Sequence, residues 1–236
     1  MEKIWAVVPA AGMGKRMGMT VKKQFIQLKG KEILVRTLEA LASVPAIEGM
    51  LIMVSREDMD VCQELLNEYH IDKVKGILLG GSTRQESVFK GLSALPKDCT
   101  MVVIHDGARP LVTREQIEST IETARQHGGA LLAVPVKDTV KIADKKGFVA
   151  ETPVRARLWN AQTPQTFKYP EILEGHRHAV VMGDYTCTDD SQVMEKYMEL
   201  PVKIVEGSYE NIKITTPEDL SIGERILEAR EGGCAE

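Results

Sequence analysis

The sequence predicts an α/β fold built on one mostly parallel sheet with helices on its faces. Three observations carry that expectation. Short apolar runs alternate with stretches in which apolar residues recur at helical spacing, the pattern of βαβ units. The first apolar run leads directly into a glycine-bearing loop, as strands of such sheets commonly do at ligand sites. The chain has 236 residues, 43% hydrophobic and 27% charged, which suits a single globular domain spanning 1–236.

Taken in order, the strands expected are Ile4 to Val8, Met50 to Val54, Ile77 to Leu79, Met101 to His105, Ala130 to Val134 and Val202 to Val205. Helices are expected over Glu32 to Ala42, Glu57 to Tyr69, Ser82 to Leu95 and Arg114 to His127. Ser82 with Gln85, and Thr113 with Gln116, have capping-box spacing, so each pair marks a helix start. Asp189 and Asp190 read as another helix start, favoured by the helix dipole and given no catalytic role. Such a chain of alternating units is Rossmann-like.

One segment interrupts the alternation. Thr139 to Ala143 and Phe148 to Thr152 flank Asp144-Lys145-Lys146-Gly147, a hairpin with a charged turn closed by glycine. An isolated two-stranded ribbon is marginal in water. Residues 139–155 are therefore expected to form a protruding arm that packs on its own domain or on a second subunit.

Charge and cysteine usage narrow the function classes. No apolar run approaches the ~20 residues that span a bilayer, and the run after Met1-Glu2-Lys3 is too short for a signal-peptide core. A cytoplasmic protein is expected, with no membrane partner. Cys62, Cys99, Cys187 and Cys234 lie far apart with no C-x-x-C pair, so they read as reduced thiols. The net charge of −4 conceals an asymmetry: from Lys3 to Lys31 there is no aspartate or glutamate, while Lys3, Lys15, Arg16, Lys22, Lys23, Lys29 and Lys31 are all cationic. Concentrated around one loop, that charge suits a compact polyanion such as a nucleoside triphosphate and not a nucleic acid.

The loop itself, Pro9-Ala10-Ala11-Gly12-Met13-Gly14-Lys15-Arg16-Met17, fits neither common phosphate-binding fingerprint. Pro9 stands where a P-loop needs its first glycine, and Arg16 where it needs a hydroxyl. Gly12, Gly14 and Gly18 give G-x-G-x-x-x-G, one residue too long for a dinucleotide fold. What remains is a run of small residues that lets a ligand approach backbone amides, followed by cations that neutralise phosphates.

These residues, with Lys23-Gln24-Phe25, resemble the signature of sugar-phosphate nucleotidyltransferases, specifically the cytidylyltransferases that use 2-C-methyl-D-erythritol 4-phosphate. Further stretches resemble that family in order: Gly80-Gly81-Ser82-Thr83-Arg84-Gln85-Glu86-Ser87-Val88, His105-Asp106-Gly107-Ala108-Arg109-Pro110, Pro135-Val136-Lys137-Asp138-Thr139, Thr163-Pro164-Gln165, Thr188-Asp189-Asp190 and Asn211-Ile212-Lys213. Departures are mild: Met13 and Gly107 stand where the family varies, and Ser82 replaces a frequent aspartate.

The resemblance implies transfer of a cytidylyl group from CTP to the sugar-alcohol phosphate, with Mg²⁺ held mainly through the CTP phosphates and no dedicated protein metal site. It implies that Arg16, Lys23, Arg155 and Lys213 are catalytic. Ala10, Ala11, Gly12, Gly14, Lys15, Gly81, Ser82, Arg84 and Ser87 would hold the nucleotide, and Asp106, Arg109, Thr139 and Thr188 the acceptor. It further implies a homodimer whose arm crosses to the partner. A phosphate attacking group is already ionised near neutral pH, so cations and not a general base are the expected machinery. His105 accordingly reads as a packing residue, and His176 and His178, two apart on a helix, face different ways. A pentitol-phosphate cytidylyltransferase is the alternative within the class, and a non-catalytic nucleotide sensor the alternative outside it.

Overall fold

The first strand, β1 (Ile4–Pro9), is buried on both faces except at Trp5 and Pro9, which explains its unbroken apolar sequence. The computed structural model describes residues 2–12 and 22–232. After β1 come a short hairpin, β2 (Gln27–Leu28) and β3 (Lys31–Glu32), then α1 (Ile33–Ala42), β4 (Ile47–Val54), α2 (Met59–Glu68), β5 (Val74–Leu79) and α3 (Arg84–Ser93). The chain continues through β6 (Met101–Ile104), α4 (Arg114–His127), β7 (Gly129–Pro135), a second hairpin β8 (Ile142–Ala143) and β9 (Val149–Glu151), and β10 (Trp159–Lys168). It ends with α5 (Tyr169–Val181), α6 (Asp190–Tyr197), β11 (Lys203–Glu206) and α7 (Pro217–Gly232).

Among the described residues, seven strands form one sheet in the order β11-β7-β10-β6-β1-β4-β5. Only β10 is antiparallel to its neighbours; every other pairing is parallel. The α/β expectation holds, and the six strands read from apolar runs are all present. The core lies on both sheet faces. Val8, Ile52 and Val103 pack with Leu38 of α1, Cys62 of α2 and Ile117 of α4, whereas Val7, Met53 and Ile104 pack with Leu92 of α3, Ile172 of α5 and Met194 of α6. A smaller cluster, Leu28, Ile33, Leu111 and Ile214, seats α7 through Leu220, Ile226 and Leu227.

β10 carried no apolar run because, Pro164 and Phe167 apart, its buried residues are polar. Gln162, Thr163, Gln165 and Thr166 are all buried, and each makes a side-chain hydrogen bond, such as the 2.9 Å contact of Thr166 with the Thr120 hydroxyl. Polar groups survive in a core when they are paired.

Helix starts follow the expected chemistry with one correction. Thr113 and Gln116 form a complete capping box on α4. At α3 the cap is Thr83 and not Ser82: the Thr83 hydroxyl accepts from the Glu86 amide at 3.1 Å. Ser82 instead donates its amide and hydroxyl to one Glu86 carboxylate oxygen, at 2.7 and 2.8 Å. Both serine and threonine have the capping spacing, and the pair Thr83–Glu86 wins because the glutamate can reach back to tie down the preceding loop. Asp189 caps α6 by accepting from the Gln192 amide, as its position predicted.

The hairpin β8–β9 forms where expected, with Gly147 at φ +86 closing the turn. Its strands are shorter than predicted and wholly exposed, and Phe148 keeps 70% of its surface in solvent. Cys62, Cys99 and Cys187 are buried free thiols, and burial pushes Cys62 and Cys99 up to about 12, so they pack as inert apolar groups. Cys234 lies outside the described residues.

Candidate functional site

Three parallel strands end along one edge of the sheet, and their carboxyl ends deliver the site. β1 leads into Ala10, β5 into Gly80, and β6 into His105 and Asp106. Strand order reverses around β1, the position where open α/β sheets bind ligands. Backbone bonds fix these loops: the Ala10 amide donates to the Met53 carbonyl at 2.7 Å, the Gly80 amide to the Val54 carbonyl at 2.7 Å, and the Gly107 amide to the Pro9 carbonyl at 3.2 Å. The first two loops nearly touch, since a Cβ on Gly80 would fall 2.6 Å from the Ala11 methyl. Only glycine admits that approach.

Two hollows open along this edge. The first is lined by Ala10, Ala11, Gly12, Lys23, Gly81, Ser82 and Thr83, with Gln24 and Gly107 behind them. The second is lined by Arg109, Gln162, Thr163, Gln165, Thr188 and Asp189. Arg84, Asp106 and Lys213 line both. They form the wall where the hollows meet.

That wall is an ion-pair network. Asp106, 6% exposed, receives Arg84 Nε on one oxygen at 2.8 Å and Lys213 Nζ on the other at 2.7 Å, with Arg109 Nε at 4.0 Å. The second fork of Arg84 reaches Asp190 Oδ2 at 2.8 Å. Burial alone would push the Asp106 carboxyl up, but Arg84, Lys213 and Arg109 outweigh it and hold Asp106 well below the usual carboxylate range. Arg84 is likewise penalised by burial yet kept charged by Asp190 and Asp106. Desolvation lowers Arg109, partly offset by Asp106, and its guanidinium donates to the Asn211 carbonyl at 2.7 Å.

Behind the wall lies His105, fully buried, whose pKa desolvation lowers to about 4. The neutral ring stands between Thr163 and the Arg109 carbonyl, so it is a packing residue as its sequence context indicated. Ser87 is buried too. Its hydroxyl accepts from the Gly81 amide and donates to the Thr83 carbonyl, both at 2.9 Å, which braces the loop of the first hollow from behind. Gln24 does the same for the other loop, donating to the Ala10 carbonyl at 2.9 Å.

The structure thus brings together Ala10, Ala11, Gly12, Lys23, Gly81, Ser82, Arg84, Asp106, Arg109, Thr188 and Lys213, drawn from every part of the chain. Gly14, Lys15 and Arg16 lie outside the described residues. Thr139 and Arg155 line neither hollow; both are exposed on or beside the hairpin, with Arg155 donating to the Lys137 carbonyl at 3.0 Å. Sequence reading missed Gln162, Gln165, Asn211 and Asp190 as site groups. Each sits in or beside a stretch that already resembled the family, but the uncharged amides carry no chemical signal of their own.

Among the described residues, no group of three or more His, Cys, Asp or Glu side chains could hold a metal ion. One carboxylate, Asp106, lines both hollows, and its oxygens are already engaged by Arg84 and Lys213. That donor set fits a cation carried on a polyphosphate ligand better than a resident one.

Comparison with known proteins agrees with this geometry. Residues 4–229 match the family model described as IspD, 2-C-methyl-D-erythritol 4-phosphate cytidylyltransferase. A protein of that name from Desulforamulus reducens is 49% identical over 235 residues, covering 99% of this chain and all of its own (100%). One from Clostridium botulinum is 46% identical over 228 residues, covering 97% of this chain and 99% of its own. The crystal structure of 4-diphosphocytidyl-2C-methyl-D-erythritol synthase from Anaerococcus prevotii superposes with a TM-score of 0.84 at 33% identity, over 96% of this chain and 99% of that one. With a match this long, relatives this similar and a two-hollow site at the strand ends, the chain belongs to the 2-C-methyl-D-erythritol 4-phosphate cytidylyltransferase family.

Proposed function

We infer that the protein transfers the cytidylyl group of CTP to 2-C-methyl-D-erythritol 4-phosphate, releasing pyrophosphate and forming 4-diphosphocytidyl-2-C-methyl-D-erythritol, in the non-mevalonate route to isoprenoid precursors. The observation that carries this reading is the pair of hollows sharing the Arg84–Asp106–Lys213 wall. Two anionic substrates must meet at one point, and a common cationic wall allows that.

In this reading the first hollow takes CTP, with cytosine and ribose against the close-packed loops Ala10–Gly12 and Gly81–Ser82. Ser87 and Gln24 keep those loops in place and need not touch the nucleotide. The second hollow takes the acceptor, its hydroxyls against Asp106, Arg109 and Thr188 and its phosphate towards Lys213. An acceptor phosphate oxygen attacks the α-phosphorus, the bond to the β-phosphate oxygen breaks, and pyrophosphate leaves. No proton need be removed, which accords with a buried, neutral His105. Lys23, with Lys15 and Arg16, would neutralise charge growing on the α-phosphate and leaving group. Mg²⁺, bound mainly through triphosphate oxygens beside Asp106, would supply further charge neutralisation.

A homodimer completes the reading. Phe148, Val149, Val154 and Ile142 are exposed on the arm, and covering them with a second copy would bring Thr139 and Arg155 to the partner's second hollow. Among the described residues no helix is long and apolar enough to cross a membrane.

A pentitol-phosphate acceptor shares the CTP hollow and is the competing reading. The test is pyrophosphate release with CTP, Mg²⁺ and each acceptor in turn, where methylerythritol phosphate should be fastest. Faster release with ribitol phosphate would overturn the acceptor, and tight CTP binding without turnover would favour a sensor.

A further inference from the structure

Helices α3, α5 and α6 meet at one side chain that lines neither hollow. His176 of α5 is fully buried. Its ring stacks on Phe89 of α3, centroids 6.4 Å apart and planes at 8°, and its Nε2 lies 3.2 Å from Asp190 Oδ1 at the start of α6. Asp190 is itself 1% exposed, and its other oxygen is the one that holds Arg84. A continuous path therefore runs from His176 through Asp190 and Arg84 to Asp106 and Lys213.

We propose that His176 is a positioning residue for the acceptor: by fixing the Asp190 carboxylate it aims the Arg84 guanidinium that sets the Asp106–Lys213 wall. The inference rests on assigning the second hollow to the acceptor. Asp190 is ionised and can only accept, so His176 Nε2 is the donor; Nδ1 has no hydrogen-bond partner. The Asp190 amide is held separately by Gln165 Oε1 at 3.0 Å, which fixes the backbone but not the carboxylate's rotation. Without Nε2–H, one oxygen of a buried carboxylate loses its side-chain donor, and the carboxylate turns to recover a partner. Arg84 follows it. The loops lining the first hollow, against which cytosine and ribose would lie, are braced by Ser87, Glu86 and Gln24, so although the wall borders both hollows the disturbance falls mainly on the acceptor, whose hydroxyls and phosphate rest on it.

The test compares His176→Gln with His176→Asn. The glutamine amide stands where Nε2 stood and can still donate to Asp190; the asparagine amide stands where Nδ1 stood and cannot. H176N should raise the acceptor KM about tenfold, the magnitude expected for one lost hydrogen bond to a buried charge. The CTP KM should stay within about twofold. H176Q should keep both constants within about twofold of wild type. Acceptor binding is also followed calorimetrically, so the comparison is read whether or not turnover occurs. Should H176N fail to fold, His176→Phe takes its place, keeping the stack on Phe89 and removing the donor. Equal acceptor affinity in the donor and non-donor variants, or a parallel loss for both substrates, would overturn the proposal. Absence of wild-type turnover counts against the reaction assigned above, whereas intact turnover with an indifferent H176N counts against His176 alone.

Discussion

Thr163 donates its hydroxyl hydrogen to His105 Nδ1 at 3.0 Å, and the same oxygen accepts from the Asp106 amide at 3.1 Å. The direction follows from the other side of the ring. His105 Nε2 faces the Arg109 carbonyl at 3.1 Å, which can only accept, so Nε2 carries the proton and Nδ1 of the neutral ring must accept. One threonine on β10 thereby holds both the histidine at the end of β6 and the residue after it. Asp106, the centre of the wall, is placed by a side chain that need touch no substrate itself.

Keeping that ring neutral has a measurable consequence for stability. Burial lowers His105 to about 4 from an ordinary 6.5; the bond to the Arg109 carbonyl and the Asp106 charge oppose the lowering, and the Arg109 and Arg84 charges add to it. Between those values the unfolded chain binds a proton that the folded protein refuses, so stability falls as pH falls. His105 is fully buried, and integration gives a loss of about 2 kcal/mol between pH 7 and pH 5. Below pH 4 the penalty is complete, and further acid loss belongs to depressed carboxylates such as Asp106 and Asp190. Urea unfolding of wild type and His105→Gln at both pH values checks this: the wild type should lose about 2 kcal/mol more than the variant. Parallel losses would remove His105 from the account.

Two adjacent lysines should separate stability from chemistry. Lys22 Nζ lies 2.9 Å from Asp58, 3.0 Å from Glu57 and 2.8 Å from the Ser55 hydroxyl. Lys23 lines the first hollow. Lys22→Ala leaves the buried Asp58 carboxylate short of its cation, and should cost about 1–3 kcal/mol of stability while kcat stays within about threefold. Lys23→Ala should lower kcat by about 10² or more, with CTP binding weakened less, because its charge is needed most as the α-phosphate becomes crowded. Thermal unfolding and steady-state kinetics on both variants read the two effects. A larger kcat loss for Lys22→Ala would mean that the wrong lysine had been placed in the chemistry.

The inner parallel strands were legible because they are buried on both faces and so read as apolar runs, as in Val7-Val8 and Val102-Val103; the edge strands β5 and β11 are only partly covered and show as shorter runs, Ile77 to Leu79 and Val202 to Val205. β10 escaped because, up to Phe167, its buried side chains are mostly amides and hydroxyls, and hydropathy cannot distinguish a paired buried glutamine from a solvated one. The same property hid half of the site. Lys23, Asp106 and Lys213 announce themselves by charge within motifs; Thr163, Gln165 and Asn211 act by holding others, and only their partners reveal it. Helix α3 shows the limit at single-residue scale, since Ser82 and Thr83 both have cap spacing and the outcome depends on which loop Glu86 can reach. Asp190 reads from the sequence as a helix start alone, since its ion pair with Arg84 exists only once the fold brings residues 84 and 190 together.

The exposed arm supplies the last prediction. Arg155 and Thr139 lie outside both hollows of their own chain, and the arm's apolar residues, Phe148 and Val149 above all, are left in solvent. A two-stranded ribbon gains stability by packing on another surface, and a closed dimer gives each arm the same neighbour. If each site takes Lys23 from one subunit and Arg155 from the other, Lys23→Ala and Arg155→Ala homodimers should each be nearly inactive. In a mixed dimer one site combines both substitutions and the other has neither. Random pairing on co-refolding makes about half the dimers mixed, so activity should recover to roughly a quarter of wild type. Native mass spectrometry establishes that subunits have exchanged, and pyrophosphate release reads the activity. Exchange without recovery would place Arg155 in the site of its own chain and leave the arm a purely stabilising element.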